Sequence, residues 1–340
     1  MTPPAAARQR WRDRLALHGL AYEIPREATR WPHLLGALTL TCILILMATG
    51  IYLGQFYQPA PIGAHASVMY VIERAPFGDL MRSLHRWAGD GALLAAAAHL
   101  SWVFYRGAYR TPRELTWWAG VGMLACLFLL YFSGTVLPYD QEGFEALAHN
   151  VAAAQRAGPL GVILTDAFTP SAPLLARIYS LHVSALPLLL IGLLGAHLYL
   201  VRYLGIRTLT GEPAAEIPFA RYLRRLVGSA CLLAAGLIAL ALAWPRALGV
   251  SAVPGFEITK PPLPFLWLVT LENERGILVL AAGLPLVLLA LLAVPLLDRR
   301  REDTPRGRRW RAVGVGLAWT LWGLLTVIAA LAPQQSHIGT

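Results

Sequence analysis

Four histidines stand in two matching pairs: His85 and His99 are 14 residues apart, His182 and His197 are 15 apart. Imidazole is a common metal ligand and a good axial ligand for haem iron. On a helix, such an interval separates the two side chains by roughly 21 Å along the axis and returns them to nearly the same face. Two parallel helices marked in this way can hold two metal centres stacked along their length. First must then pair with first, His85 with His182 and His99 with His197. A single pair of intramembrane histidines would serve equally as a proton relay or an interhelical hydrogen bond. Four in matching registers favour the metal reading.

Glycines repeat the interval. Gly36 and Gly50 are 14 residues apart, and so are Gly120 and Gly134. A porphyrin slotted between helices needs neighbouring backbones without side chains in its way, which is what these positions offer. Arg82 and Arg86 flank the first histidine. Their guanidinium groups can hold haem propionates through charge-assisted hydrogen bonds, or simply snorkel to the helix end.

The elements that must position these residues lie in a membrane. Of 340 residues, 56% are hydrophobic and 14% charged, where a soluble domain has roughly 25% charged. Charge-free runs cover 34–53, 91–105, 115–136, 178–201, 226–244, 276–297 and 312–332, and most reach the ~20 residues that cross a bilayer. The second is long enough if its helix begins near Leu80 and takes in Arg82, His85, Arg86 and Asp90. The expected fold is an all-α membrane protein of seven transmembrane helices. A surface segment, 1–32, precedes a four-helix haem-binding bundle, 33–204; a polar linker, 205–221, leads to three further helices, 222–340.

The net charge of +10 is informative through its placement. Of 29 Lys and Arg, 21 fall in the N-terminal segment and the connections 106–113, 202–225 and 299–311, and seven in the alternate loops. Under the positive-inside rule the N-terminus is cytoplasmic and the C-terminus outside, which needs an odd number of crossings. A one-sided membrane charge gives no reason to expect a nucleic-acid partner. No cleavable signal peptide is expected, because the first 30 residues carry six arginines and no apolar core precedes Leu34. Residues 8–20 form either an amphipathic surface helix or a solvated tail. Cys42, Cys126 and Cys231 sit singly in predicted spans and read as small core residues. The outer connections 138–177 and 244–275, the second rich in proline, are too long for simple turns and suit a cap over a site.

At this point the chain resembles the cytochrome b/b6 subunit of quinol:cytochrome c (or plastocyanin) oxidoreductases. The resemblance rests on Arg82-Ser83-Leu84-His85-Arg86-Trp87, Pro112-Arg113-Glu114-Leu115-Thr116-Trp117, Leu137-Pro138-Tyr139-Asp140-Gln141 and Tyr179-Ser180-Leu181-His182, followed by Leu186-Pro187-Leu188-Leu189. The 15-residue interval to His197 looks like the b6 branch, and the last three helices look like a fused, divergent subunit IV. The resemblance implies two non-covalent b-type haems on His85/His182 (outer) and His99/His197 (inner). It also implies quinol as substrate, a Rieske-type iron-sulfur protein and a c-type cytochrome as partners, a homodimer in lipid, and placement in the cell's inner (cytoplasmic) membrane. Quinol would bind under Leu137–Gln141 and 261–267, and quinone would be reduced near the cytoplasmic face, with Arg202 a contact.

Departures from the family pattern are as telling. The outer-site Pro-Glu-Trp-Tyr motif is replaced by Pro261-Pro262-Leu263-Pro264-Phe265-Leu266-Trp267, without glutamate. Asp140 and Glu272 are the candidates for proton exit. Asp140 reads alternatively as a turn former, Glu272 as a surface glutamate at a helix start. Leu34 stands where a cysteine would attach a third haem, so none is expected. A non-bifurcating dihaem anchor, passing both electrons to an attached reductase, is the rival function. A transporter or scaffold has no use for the doubled glycine interval.

Overall fold

The computed structural model describes residues 13–14, 22–206, 215–299, 304–333 and 335. The amphipathic reading of 8–20 therefore lies almost wholly outside the described residues. Six described helices are long and apolar enough to cross a bilayer, within Trp31–Gly54, Glu114–Val136, Leu174–Leu204, Phe219–Ala243, Leu278–Leu297 and Pro305–Leu331. In chain order the helices are α1 (Leu35–Gly54), α2 (Ala64–Glu73), α3 (Gly78–Tyr105), α4 (Glu114–Val136), α5 (Gln141–Arg156), α6 (Leu174–Leu204), α7 (Phe219–Ala243), α8 (Leu263–Arg275), α9 (Leu278–Leu297) and α10 (Pro305–Leu331).

At 28 residues, α3 is about 42 Å long. It falls short of a purely apolar span only through Asp79, Arg82, Arg86 and Asp90. It packs along α1 and against α7, while α4 packs along α6. Small residues allow the closest approaches, as lipid-embedded helices require: Ala88 and Ala92 of α3 are fully or almost fully buried, and a methyl group at Gly91 would lie 3.2 Å from Cys42 Sγ. Leu84, Leu93, Leu124, Leu127 and Leu190 complete this core. Large apolar side chains cover the outside, Leu188, Leu232 and Leu331 among them, as expected of surfaces that face acyl chains. Cys42 and Cys126 are core residues, but Cys231 is exposed on the outer side of α7; apolar spacing alone does not say which side of a lipid-embedded helix faces its neighbours.

Three helices lie in the connections and are too short to cross: α2, α5 and α8. Asp140 caps α5 by accepting from Gly143 N–H at 3.0 Å. Residues of the linker pair with the N-terminal segment, β1 (Glu23–Pro25) running antiparallel to β2 (Glu216–Pro218). Otherwise the described fold is helical, as expected.

One irregularity bears directly on the histidines. Within α6, Leu181–Ala185 form a π-turn, with Leu186 N–H reaching back to Leu181 O. Pro187 follows immediately; it has no N–H to give and its ring crowds the carbonyl of the preceding turn, so the turn widens. The widened turn absorbs one residue. The 15 residues from His182 to His197 thus advance the helix face about as far as the 14 from His85 to His99.

Candidate functional site

The structure brings His85 of α3 and His182 of α6 together, with ring centroids 6.4 Å apart and the ring planes tilted by 58°. Each lies over a glycine of the next helix. A Cβ on Gly50 would stand 3.3 Å from His85 Cε1, and one on Gly134 would stand 3.0 Å from His182 Cε1. Further along the same helices, His99 sits over Gly36 at 3.3 Å and His197 over Gly120 at 3.8 Å. All four glycines singled out by spacing meet a histidine, and each meets a different one.

The hydrogen bonds fix how the imidazoles are presented. Thr49 Oγ1 donates to Ile45 O at 2.7 Å, so its contact of 2.9 Å with His85 Nδ1 has the imidazole as donor. Ser133 Oγ likewise donates to Leu129 O at 2.7 Å and accepts from His182 Nδ1–H at 2.8 Å. His197 Nδ1–H donates to the Thr116 carbonyl at 3.0 Å. Three of the four rings therefore hold their proton on Nδ1 and keep the Nε2 lone pair for another partner, the arrangement that orients a metal-ligating histidine. His99 Nδ1 is buried and has no hydrogen-bond partner among the described residues.

Around the outer pair is a cavity of about 560 Å³, lined by Gly50, Arg82, His85, Arg86, Gly134 and His182 among others. Cofactor sites typically measure roughly 300–1,000 Å³. Glycine-floored space, imidazoles with Nε2 free to coordinate, and guanidinium groups at the rim together fit a haem, which His85 and His182 would hold.

The two arginines divide the work. Arg82 hydrogen-bonds the carbonyls of Arg246 and Ala247, which ties α3 to the segment after α7. Arg86 faces the cavity, and its guanidinium is 3.8 Å from Glu142 Oε1. Burial raises the Glu142 carboxyl above its ordinary pKa, with Arg86 opposing that shift. Asp90, one of the charges inside α3, accepts from Tyr131 O–H at 2.5 Å and pairs with Arg246, whose guanidinium also stacks 3.6 Å from the Trp87 ring centre.

Other expected residues stand elsewhere. Asp140 holds two backbone amides, Gly143 N–H and Gly249 N–H, the latter at 2.9 Å. Arg202 lies 3.9 Å over the Tyr22 ring. Glu272 is not at the surface or at a helix start: it is 4% exposed and lies in the last turn of α8, with its Oε1 3.6 Å from His149 Nε2 of α5. Leu34 is a buried apolar residue.

Several residues of the site carry no spacing signal that pointed to them. Thr49 and Ser133 had one that passes unnoticed: each immediately precedes the glycine under an outer histidine. Arg246 had none, since tertiary packing alone brings it in.

Comparison with known proteins agrees with this geometry. Residues 21–205 match the family described as Cytochrome b/b6/petB. The chain is 36% identical over 192 residues to the cytochrome b6 of Heliobacterium mobile, covering 54% of this chain and 89% of that protein. It is 32% identical over 205 residues to the cytochrome b6 of Mastigocladus laminosus, covering 58% of this chain and 95% of that one. A chain of a hyperthermophilic respiratory Complex III superposes with a TM-score of 0.73 at 21% identity, covering 96% of this chain and 97% of that one. That likeness extends the shared fold beyond residue 205 to the last three helices.

Proposed function

This chain belongs to the cytochrome b/b6 family, and we propose that it is the dihaem, quinol-oxidising subunit of a quinol:cytochrome c-type oxidoreductase. The observation that carries the reading is the fourfold histidine-over-glycine seating at two depths of one helix bundle. His85 and His182 are the ligands of an outer b-type haem, and His99 and His197 those of an inner one. Held there, the two haems supply one-electron transfer across the membrane. Arg86, with what remains of Arg82, neutralises propionates at the outer rim. Thr49, Ser133 and the Thr116 carbonyl keep three of the ligands in the coordinating tautomer.

Quinol binds at the outer end, beneath 137–141 and 261–267. Asp140 fixes that floor through its two amide contacts, and Glu272 belongs to the proton route. A quinone near the cytoplasmic face is contacted by Arg202. Seven crossings, α3 included, put the N-terminus in the cytoplasm, in the cell's inner membrane. The subunit works as a homodimer with a Rieske-type iron-sulfur protein and a c-type cytochrome. The names borne by its relatives, cytochrome b6 and a Complex III chain, support this reading. A second reading keeps the haems and sends both electrons to one attached reductase; the absence of a carboxylate from 261–267 favours it.

A reduced-minus-oxidised optical spectrum with haem quantitation tests the first claim, with two b-type haems per chain expected. A colourless chain would end it. Quinol oxidation that survives removal of the iron-sulfur partner would select the second reading.

A further inference from the structure

A cluster outside the haem seats carries protons of its own. His149, on α5, has its Nδ1 2.8 Å from the Glu145 carbonyl oxygen. A carbonyl only accepts, so that nitrogen is protonated. Its Nε2 is 2.8 Å from Glu257 Oε1, a distance at which a lone pair and a carboxylate oxygen repel unless a proton lies between them. The two groups stand at ion-pair distance, where a proton can be held by either partner, as imidazolium and carboxylate or as imidazole and carboxylic acid. Glu272 Oε1 lies 3.6 Å from the same nitrogen. Both glutamate side chains are only 4% exposed.

The three groups come from three different elements: α5, the irregular outer segment after α7, and α8. One imidazole and two carboxyl groups thus meet in a place largely removed from water, where a proton can pass among them. Glu145 holds the segment in place: its carboxylate takes Ile258 N–H at 2.8 Å and Thr259 N–H at 2.9 Å. The other end of α8 reaches the outer haem seat. Phe265 packs on Tyr131 with ring centroids 5.8 Å apart, and Tyr131 lines the cavity around His85 and His182. Glu272 is seven residues further on, about 10 Å along the helix.

We propose that the His149–Glu257–Glu272 cluster is the outer-face acceptor of a quinol proton, in a chain whose 261–267 segment has no acidic group; the inference rests on the quinol-oxidising reading above. A quinol O–H bond breaks, its electron pair stays on oxygen, and the proton joins the cluster. The proton leaves to the outer water by way of Glu257, on the loop side of the cluster, which readies the cluster again. The quinolate gives one electron to the iron-sulfur partner and one to the outer haem, and its second O–H proton follows the first through the emptied cluster, leaving quinone.

The test uses the whole purified complex and duroquinol. Glu257→Gln keeps the size and polarity of the side chain beside His149 but removes the ionisable carboxyl, so a purely structural contact would tolerate it. The relay predicts about 100-fold slower reduction of the outer haem, with unchanged haem content and melting temperature, and recovery in Glu257→Asp. It also predicts a protonated-carboxyl band in the redox-triggered infrared difference spectrum of the parent that shifts in D2O and is lost in Glu257→Gln. His149→Leu should reproduce the slow phase; if that variant does not fold, Glu257→Gln and the infrared band still decide. A Glu257→Gln complex that matches the parent in rate and infrared spectrum overturns the relay while leaving quinol oxidation intact. A haem-loaded parent that duroquinol never reduces overturns the quinol reading itself.

Discussion

The first four long helices and the last three are both built from apolar spans, yet they meet different demands. In α1, α3, α4 and α6, histidines and glycines must agree in depth and in phase, so the constraint is written at a repeating interval. In α7, α9 and α10, no such interval exists. Gly228, Gly236, Gly316 and Gly323 would meet nothing within 4 Å if given a Cβ. The later stretch instead contributes to the site through the connection between α7 and α9: Arg246 on Asp90, Glu257 on His149 and Phe265 on Tyr131. The first set is constrained where its histidines meet glycines at a repeating interval; the last three helices are constrained where the connection between them reaches over.

Substitutions can break or sharpen that contrast. The largest effect is expected at the ligands. His85→Ala or His182→Ala should each abolish the same outer haem, and His99→Ala or His197→Ala the inner one, as read by haem quantitation and redox titration. Loss of different haems within one pair would refute the pairing.

Next come the glycines, where the effect should follow the clearance. Gly134→Val, at 3.0 Å, should lose most of the outer haem, Gly50→Ala at 3.3 Å rather less, and Gly120→Ala at 3.8 Å should retain its haem. Gly236→Ala and Gly316→Ala should leave haem content untouched. An equal response across all five would mean that the first stretch is no more constrained than the last.

Asp90→Ala should lower the melting temperature measured at the outer-haem absorbance, without preventing assembly. The pair with Arg246 is part-exposed, at 27% and 35% for the two side chains, so its loss should cost about 1–2 kcal/mol, between exposed and buried pairs. An unchanged melting curve would show that the loop is held by other contacts.

The smallest effect is expected from Thr49→Val. It keeps the shape of α1 but removes the acceptor for His85 Nδ1–H. Haem should stay bound, with the outer haem's midpoint potential displaced and the inner one fixed.

Much of this was legible in the sequence because it concerns periodicity. Histidine and glycine spacing picked out the four histidines and the glycines that each of them meets, and hydropathy located the apolar spans. The connection helices α2, α5 and α8 were not legible, because their apolar residues serve a surface and never form a long run. Glu272 and Cys231 show the same limit from opposite sides. One is charged and buried, the other small and exposed, and only the neighbouring helix decides which. Glu257 and His149 are 108 positions apart, and no local pattern announces their contact.

The π-turn at Leu181–Ala185 has a consequence for how such a chain can change length. Because it stores one residue without advancing the helix face, a deletion inside it should relax to regular helix and leave His197 aimed as before. The same deletion placed between Leu190 and His197 would swing that imidazole by about 100°, away from Gly120. The helix thus tolerates a lost residue at one place and not a few turns away, because the angular phase between His182 and His197, rather than the number of residues that separates them, decides where the second imidazole points.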